Sequence, residues 1–184
     1  MKALFLIAAL AGATTPGGPI LHPATPAGPS PEILLTDAEI AHIAVTASNI
    51  DIRAAYLAMA LSTDPEIRRF AQTMITDHSA VNDQAIALVT ELGVTPQDNE
   101  VSQGLMVNAD AKLDEMSRLR GPEFDRAYAT NEAAYHAAVA DAVVNTLIPN
   151  TVNPQLKALL ESAVPIFSEH LEHARSLAAE YAGS

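Results

Sequence analysis

Residues 63–93 read TDPEIRRFAQTMITDHSAVNDQAIALVTELG. Ile67, Phe70, Met74, His78, Val81, Ala85 and Leu88 recur every three or four residues in this stretch, the spacing of one face of an α-helix. Thr63 or Asp64 supplies an N-cap. Pro65 falls in the first turn, where its missing N–H is one the helix leaves unpaired anyway. Gly93 stands where a helix ends on a left-handed residue. The stretch is therefore one long amphipathic helix, and a histidine occupies the middle of its apolar stripe.

The same pattern extends to both sides. Upstream, Thr36-Asp37-Ala38-Glu39 forms a capping box that opens a first long helix. Its stripe is Ile40, Ala44, Ala47, Asp51, Ala54 and Ala58, and it should stop near Leu61 or Ser62. Because the stripe is mostly alanine, a neighbouring helix can approach closely. Downstream, a loop with Pro96 leads to a shorter helix from about Glu100 to Leu119, weakened by Gly104 and Asn108. Gly121-Pro122 restarts the chain into a third long helix, about Pro122 to Leu147, carrying Phe124, Tyr128, Glu132, Ala133, His136, Val139 and Val143 on one side and ended by Pro149. Asn153-Pro154 opens a fourth, lined by Leu156, Leu159, Ala163, Ile166, Phe167, His170, Ala174 and Leu177. Pro165, inside it, removes one backbone bond and is expected to bend it. With no strand-like alternation, these elements predict an all-α fold. It is a four-helix bundle over residues 36–184, with an extra short helix between the second and third long helices.

Composition agrees with this reading. Hydrophobic residues make up 49% of the 184, aromatics only 4%, and Trp is absent, so the core is mostly aliphatic. The net charge of −12 repels phosphate backbones and anionic lipid surfaces, and no basic cluster offsets it, which argues against a nucleic-acid partner. The absence of Cys excludes disulfides, thiolate nucleophiles and iron–sulfur ligation. Residues 1–13, MKALFLIAALAGA, have the form of a secretory signal peptide: Lys2, an apolar run too short to span a bilayer, and the small-x-small site Ala11-Gly12-Ala13. Residues 14–35 are a Pro/Gly-rich linker read as disordered. The expected destination is the periplasm or the medium, and no later segment is long and apolar enough to cross a membrane.

Chemistry is carried by histidines and carboxylates. Of six histidines, His22 lies in the linker and His42 on a helix flank. His78, His136 and His170 each occupy an apolar stripe, on the second, third and fourth long helices, while Asp51 occupies that of the first. In antiparallel hairpins, Asp51 and His78 lie roughly 15 and 20 Å from the first turn, and His136 and His170 roughly 18 and 24 Å from the second. Glu132 is one turn from His136 on the same face. Three imidazoles with Asp51 and Glu132 suit zinc, copper or iron. His173 is a candidate outer group, and Met74 a candidate copper ligand or core filler. A di-iron carboxylate site would need Glu-x-x-His on two helices, and the chain has none. Asp77-His78 and Glu169-His170 are adjacent pairs that point about 100° apart and do not chelate together.

These residues also carry a family resemblance. The landmarks are Asp37-Ala38-Glu39-Ile40, the run from Pro65 to Ile75 followed by Asp77-His78, Phe124-Asp125-Arg126-Ala127-Tyr128, His136, and Pro165 with Glu169-His170-Leu171. Over about Asp37 to Leu177 the chain resembles the bacterial exported family called domain of unknown function 4142. The resemblance implies a ferritin-like helical bundle outside the cytoplasm, with the histidines as a metal site and no established activity. One position departs: Asp51 stands where the family usually has Glu. A side chain one methylene shorter either falls short of a coordination sphere or acts through water.

Three functions remain open from the sequence. The bundle holds a transition metal for storage, sensing or tolerance; or a metal with an open position performs redox or hydrolytic work; or the polar residues only fix helix register and the protein acts through its surface in the envelope. The balance leans away from an enzyme. A homo-oligomer is compatible with each.

Overall fold

The computed structural model describes residues 34–183. The expected signal peptide and most of the expected linker lie outside them. The described residues are all-helical, with no strand. Five helices order the chain: α1 Asp37–Leu61, α2 Pro65–Glu91, α3 Glu100–Ser117, α4 Gly121–Ala142 and α5 Pro154–Tyr181.

The termini follow local chemistry. Thr36 and Glu39 close a reciprocal box at the start of α1, the Thr36 N–H donating to the Glu39 carboxylate at 2.9 Å and the Glu39 N–H to Thr36 Oγ1 at 3.3 Å. Asp64, rather than Thr63, caps α2, accepting from the Glu66 and Ile67 amides. Gly93 follows α2 at φ +64°, its amide bonding the Thr90 carbonyl while the Val94 amide bonds that of Val89. This 5→2, 6→1 pair needs a left-handed residue. Asn99 and Asn153 cap α3 and α5.

The third long helix runs further than the sequence predicts. After Ala142 it widens into a π-helical segment, Val143–Leu147, and adds one more turn, Ile148–Asn150. Pro149 therefore sits inside that last turn instead of ending the helix at Leu147. Proline cannot donate to the fourth residue back and clashes with its carbonyl; wider i→i+5 bonding just ahead of it accommodates both defects. Pro165 is exposed within α5, and the helix continues across it.

Packing joins α1 to α2 and α4 to α5 as hairpins. The hairpins meet along α2–α5 and α1–α4, and α3 lies on the outside of α1. That extra neighbour buries α1 on more than its predicted stripe: Ala41, Ile43, Thr46 and Ile50 are buried, whereas Ala44 and Ala47 are only half-buried. Arg53 on α1 ties down α3 through Asp110, at 2.6 Å.

Two apolar clusters fill the interior. One gathers Ala54, Ala58, Ile67, Phe70, Met74, Phe124, Tyr128, Ala174 and Leu177, and the other Ile40, Ile43, Val89, Val143, Leu147, Leu156, Leu160 and Phe167. On every long helix at least one buried polar residue lies between these clusters: Asp51 on α1, His78 on α2, Glu132 and His136 on α4, His170 on α5. The fold thus sandwiches one polar layer between two apolar ones.

Candidate metal centre

Each member of this layer is there because a polar residue replaces an apolar one on a helix's inner stripe. Asp51, His78, Glu132, His136 and His170 are all at most 5% exposed. One ligand atom from each of His78, His136 and His170 lies within 4.8 Å of the others, and the same holds for Asp51, Glu132 and His136. The imidazole centroids are 5.7 Å apart for His78 and His136, 5.3 Å for His78 and His170, and 5.5 Å for His136 and His170. Phe167 stacks on His78, with centroids 5.4 Å apart, and walls that side of the layer.

His136 and His170 each have one ring nitrogen hydrogen-bonded. His136 Nδ1 lies 3.0 Å from the Glu132 backbone carbonyl. A carbonyl only accepts, so Nδ1 carries the proton and Nε2 keeps a lone pair. His170 Nε2 lies 2.9 Å from Asp77 Oδ2, which likewise places the proton on Nε2. His78 Nε2 is in ion-pair range of Asp51 Oδ2, at 2.7 Å. His136 Nε2, His170 Nδ1 and both nitrogens of His78 are buried without a hydrogen-bond partner, as are both Asp51 carboxylate oxygens, Glu132 Oε2 and the Tyr128 hydroxyl; His78 and Asp51 are close enough to pair but not aligned for a hydrogen bond.

The carboxylates differ in charge. Burial pushes the Asp51 carboxyl up, but the close approach and charge of His78, with help from Glu132 and His136, outweigh it and hold it at about 2. Burial first, then the charge and close approach of Asp51, raise Glu132 well above its ordinary value. Within the pair, the environment thus favours the ionised form of Asp51 and the protonated form of Glu132. Burial lowers His136 and His170, against the opposing pull of Asp51 on the first and Asp77 on the second, so both favour the neutral form that ligates metals. Burial, then the nearby Glu132 and Asp51 charges, raise the Tyr128 hydroxyl well above its ordinary value.

The layer brings together all five residues singled out from the sequence. The Asp51 carboxylate comes within 2.7 Å of the His78 ring. His42 lies apart, half-buried in a cleft between α1 and α3, with Nδ1 3.8 Å from Asp98 and 3.5 Å from Thr46 Oγ1. His173 is exposed and sets its ring against the edge of Phe70, with centroids 5.0 Å apart, away from the layer. Met74 is fully buried in the apolar cluster around Phe70. Sequence reasoning missed Asp77. It weighed Asp77 only as a chelating neighbour of His78, whereas the side chain leaves α2 toward α5 and holds His170 from the next helix.

No curated protein matches this chain. Two solved structures share its fold. One is a DUF305 protein from Streptomyces coelicolor, 15% identical, covering 79% of this chain and 93% of its own, with a TM-score of 0.68. The other is a DUF305 fragment from Deinococcus radiodurans, 13% identical, covering 78% and 97%, with a TM-score of 0.66. The family described as "Domain of unknown function (DUF4142)" matches residues 22–177, which is most of the chain, and the protein belongs to that family.

Proposed function

We propose that this protein is an exported, ferritin-like helical bundle that binds one divalent transition-metal ion, zinc, copper or iron, in its polar layer, and that it acts as a metal-binding protein rather than an enzyme. The observation that carries the reading is the convergence of three buried imidazoles, one of which, His136, is also grouped with Asp51 and Glu132, each ring keeping at least one nitrogen without a hydrogen-bond partner. Buried polar atoms without partners cost about 1–3 kcal/mol each. An ion ligated by His78, His136 and His170, with Asp51 or Glu132 completing the sphere, would satisfy several of them at once. Its two positive charges would match two carboxylates once Glu132 gives up its proton. An ion in that position would act as a Lewis acid toward whatever reached it. Export rests on the form of residues 1–13. In support, no helix among the described residues is long and apolar enough to cross a membrane, and the Streptomyces coelicolor neighbour is described as a candidate secreted protein.

A second reading has its own observation. Two of the imidazoles already face a carboxylate, Asp51 at 2.7 Å and Asp77 at 2.9 Å, and His136 a carbonyl, so the layer could serve only to fix helix register. Elemental analysis of protein purified from its native compartment, with zinc titration of the stripped protein, separates the two. Stoichiometric metal is expected. His78→Ala, His136→Ala and His170→Ala should each lose most of the affinity, and His42→Ala should lose none. A metal-free protein that also fails to take up zinc, copper or iron in vitro would leave the register reading.

A further inference from the structure

The polar layer is buried on α1, α4 and most of α2, but one of its carboxylates reaches solvent. The Asp77 side chain is 38% exposed, and its Oδ2 meets His170 Nε2 across the α2–α5 contact, with the imidazole only 6% exposed. His170 is the one member of the histidine triad whose bond to an acceptor comes from neither the interior nor its own helix. His136 bonds a carbonyl one turn back on α4, and His78 faces the buried Asp51 at 2.7 Å.

We infer that Asp77 is the positioning residue of the metal centre: by accepting from Nε2–H it holds the His170 ring with Nδ1 facing the other imidazoles, so that His170 ligates through Nδ1 while His136 ligates through Nε2. The inference rests on the metal reading for its ligating part and on the hydrogen bond alone for its orienting part. The physical argument is that an imidazole has two nitrogens and only the one without a proton can take a metal. An acceptor on Nε2 decides the tautomer, fixes the ring plane and makes Nδ1 a better donor. His170 Nδ1 is buried and has no hydrogen-bond partner, as an atom kept for a ligand would be. The bond to Asp77 is the one side-chain hydrogen bond His170 makes among the described residues, so Asp77 is the group that can fix its tautomer.

Nitrogen-15 NMR of the full chain, reading long-range couplings to the imidazole nitrogens, tests this with and without zinc. In the metal-free protein His170 should be the Nε2–H tautomer. Asp77→Asn keeps an acceptor oxygen and should retain it; Asp77→Leu should release the ring to a mixture. Because Asp77 lies at the surface, both variants should keep the wild-type helix content. With zinc, the bound nitrogen of His170 should be Nδ1. Affinity should fall about 10–100-fold in Asp77→Leu and by less in Asp77→Asn. A wild-type His170 protonated on Nδ1, or an Asp77→Leu variant with an unchanged tautomer, overturns the orienting role. Zinc on His170 Nε2, or unchanged zinc affinity in Asp77→Leu, overturns the ligating role. A wild type that takes up no metal refutes the metal reading itself, and the metal-free tautomers then still decide whether Asp77 orients His170.

Discussion

Phe70 and His136 set their rings 6.4 Å apart and are equally buried, at 0% and 1% exposure, yet they are held there by different terms. Phe70 shares its apolar cluster with Ala55, Ile67, Ala71, Met74 and Tyr128, and removal of such apolar surface from water stabilises the fold by about 1.5–3 kcal/mol per large side chain. Around His136 the neighbours are Asp51, Glu132, His78 and His170, and Nε2 is left without a hydrogen bond. Desolvation there works against folding. The apolar clusters need nothing beyond the chain to be favourable. The layer between them is a standing cost that a bound cation would offset. The alanines of α1 that follow Asp51, Ala54, Ala55 and Ala58, are buried in the apolar cluster around Phe70.

The largest test of this contrast is on the apolar side. Phe70→Ala should destabilise the protein by about 3–5 kcal/mol in denaturant titration, whether or not metal is present, because a cavity replaces a fully buried ring. A loss well below that range would mean that the clusters do not carry the fold.

The next test replaces polar by apolar. His78→Leu alone leaves Asp51 charged, buried and unpaired, and should cost about 3–5 kcal/mol. Asp51→Leu combined with His78→Leu removes both partners, which lie 2.7 Å apart with side chains 0% and 3% exposed. The metal-free double variant should equal the wild type or exceed it by about 1–4 kcal/mol, while zinc binding is abolished. If the double variant is less stable than His78→Leu, the layer stabilises the fold by itself, and the register reading gains over the metal one.

How much of this was legible beforehand follows the same division. The helices and their caps were readable because apolar spacing and Thr36, Pro65, Gly93 and Asn153 act locally. The five layer residues were readable because a polar side chain in the middle of an apolar stripe has one direction in which to point. What depends on the packing of a neighbour was not readable. The second buried face of α1 exists only because α3 lies on it, and Asp77 matters only because α5 brings His170 within 2.9 Å. The stagger of the two hairpins, which places His136 beside His78, is set by side chains filling space across the bundle and leaves no trace in the spacing along either helix. The π segment ahead of Pro149 was missed because a proline near a helix end is usually its stop signal.

The smallest effect expected is a change of slope with pH, and it bears on the layer alone. In the metal-free protein Glu132 keeps its proton well above the ordinary carboxylate value of 4.5, so between 4.5 and its folded value the native state binds more protons than the unfolded chain. Stability from this group is therefore full below 4.5 and lost as pH rises through the folded value. His136 and His170 act in the opposite direction. Their folded values lie below 6.5, the unfolded chain takes up protons first, and stability falls as pH drops below 6.5 toward them. Glu132→Gln keeps a neutral donor beside Asp51 but has no proton to lose. It should leave the acid limb unchanged and flatten the alkaline one, so that thermal unfolding of the metal-free variant matches wild type near pH 4.5 and occurs at higher temperature than wild type as pH rises. With zinc the order should reverse, since Gln supplies no charge to the ion and the variant gains less from it. Metal binding in either protein should weaken as pH falls through the folded values of His136 and His170, which lie below 6.5, because protonated imidazoles cannot ligate. Melting curves that shift in parallel at every pH would mean that Glu132 does not carry the proton of the pair.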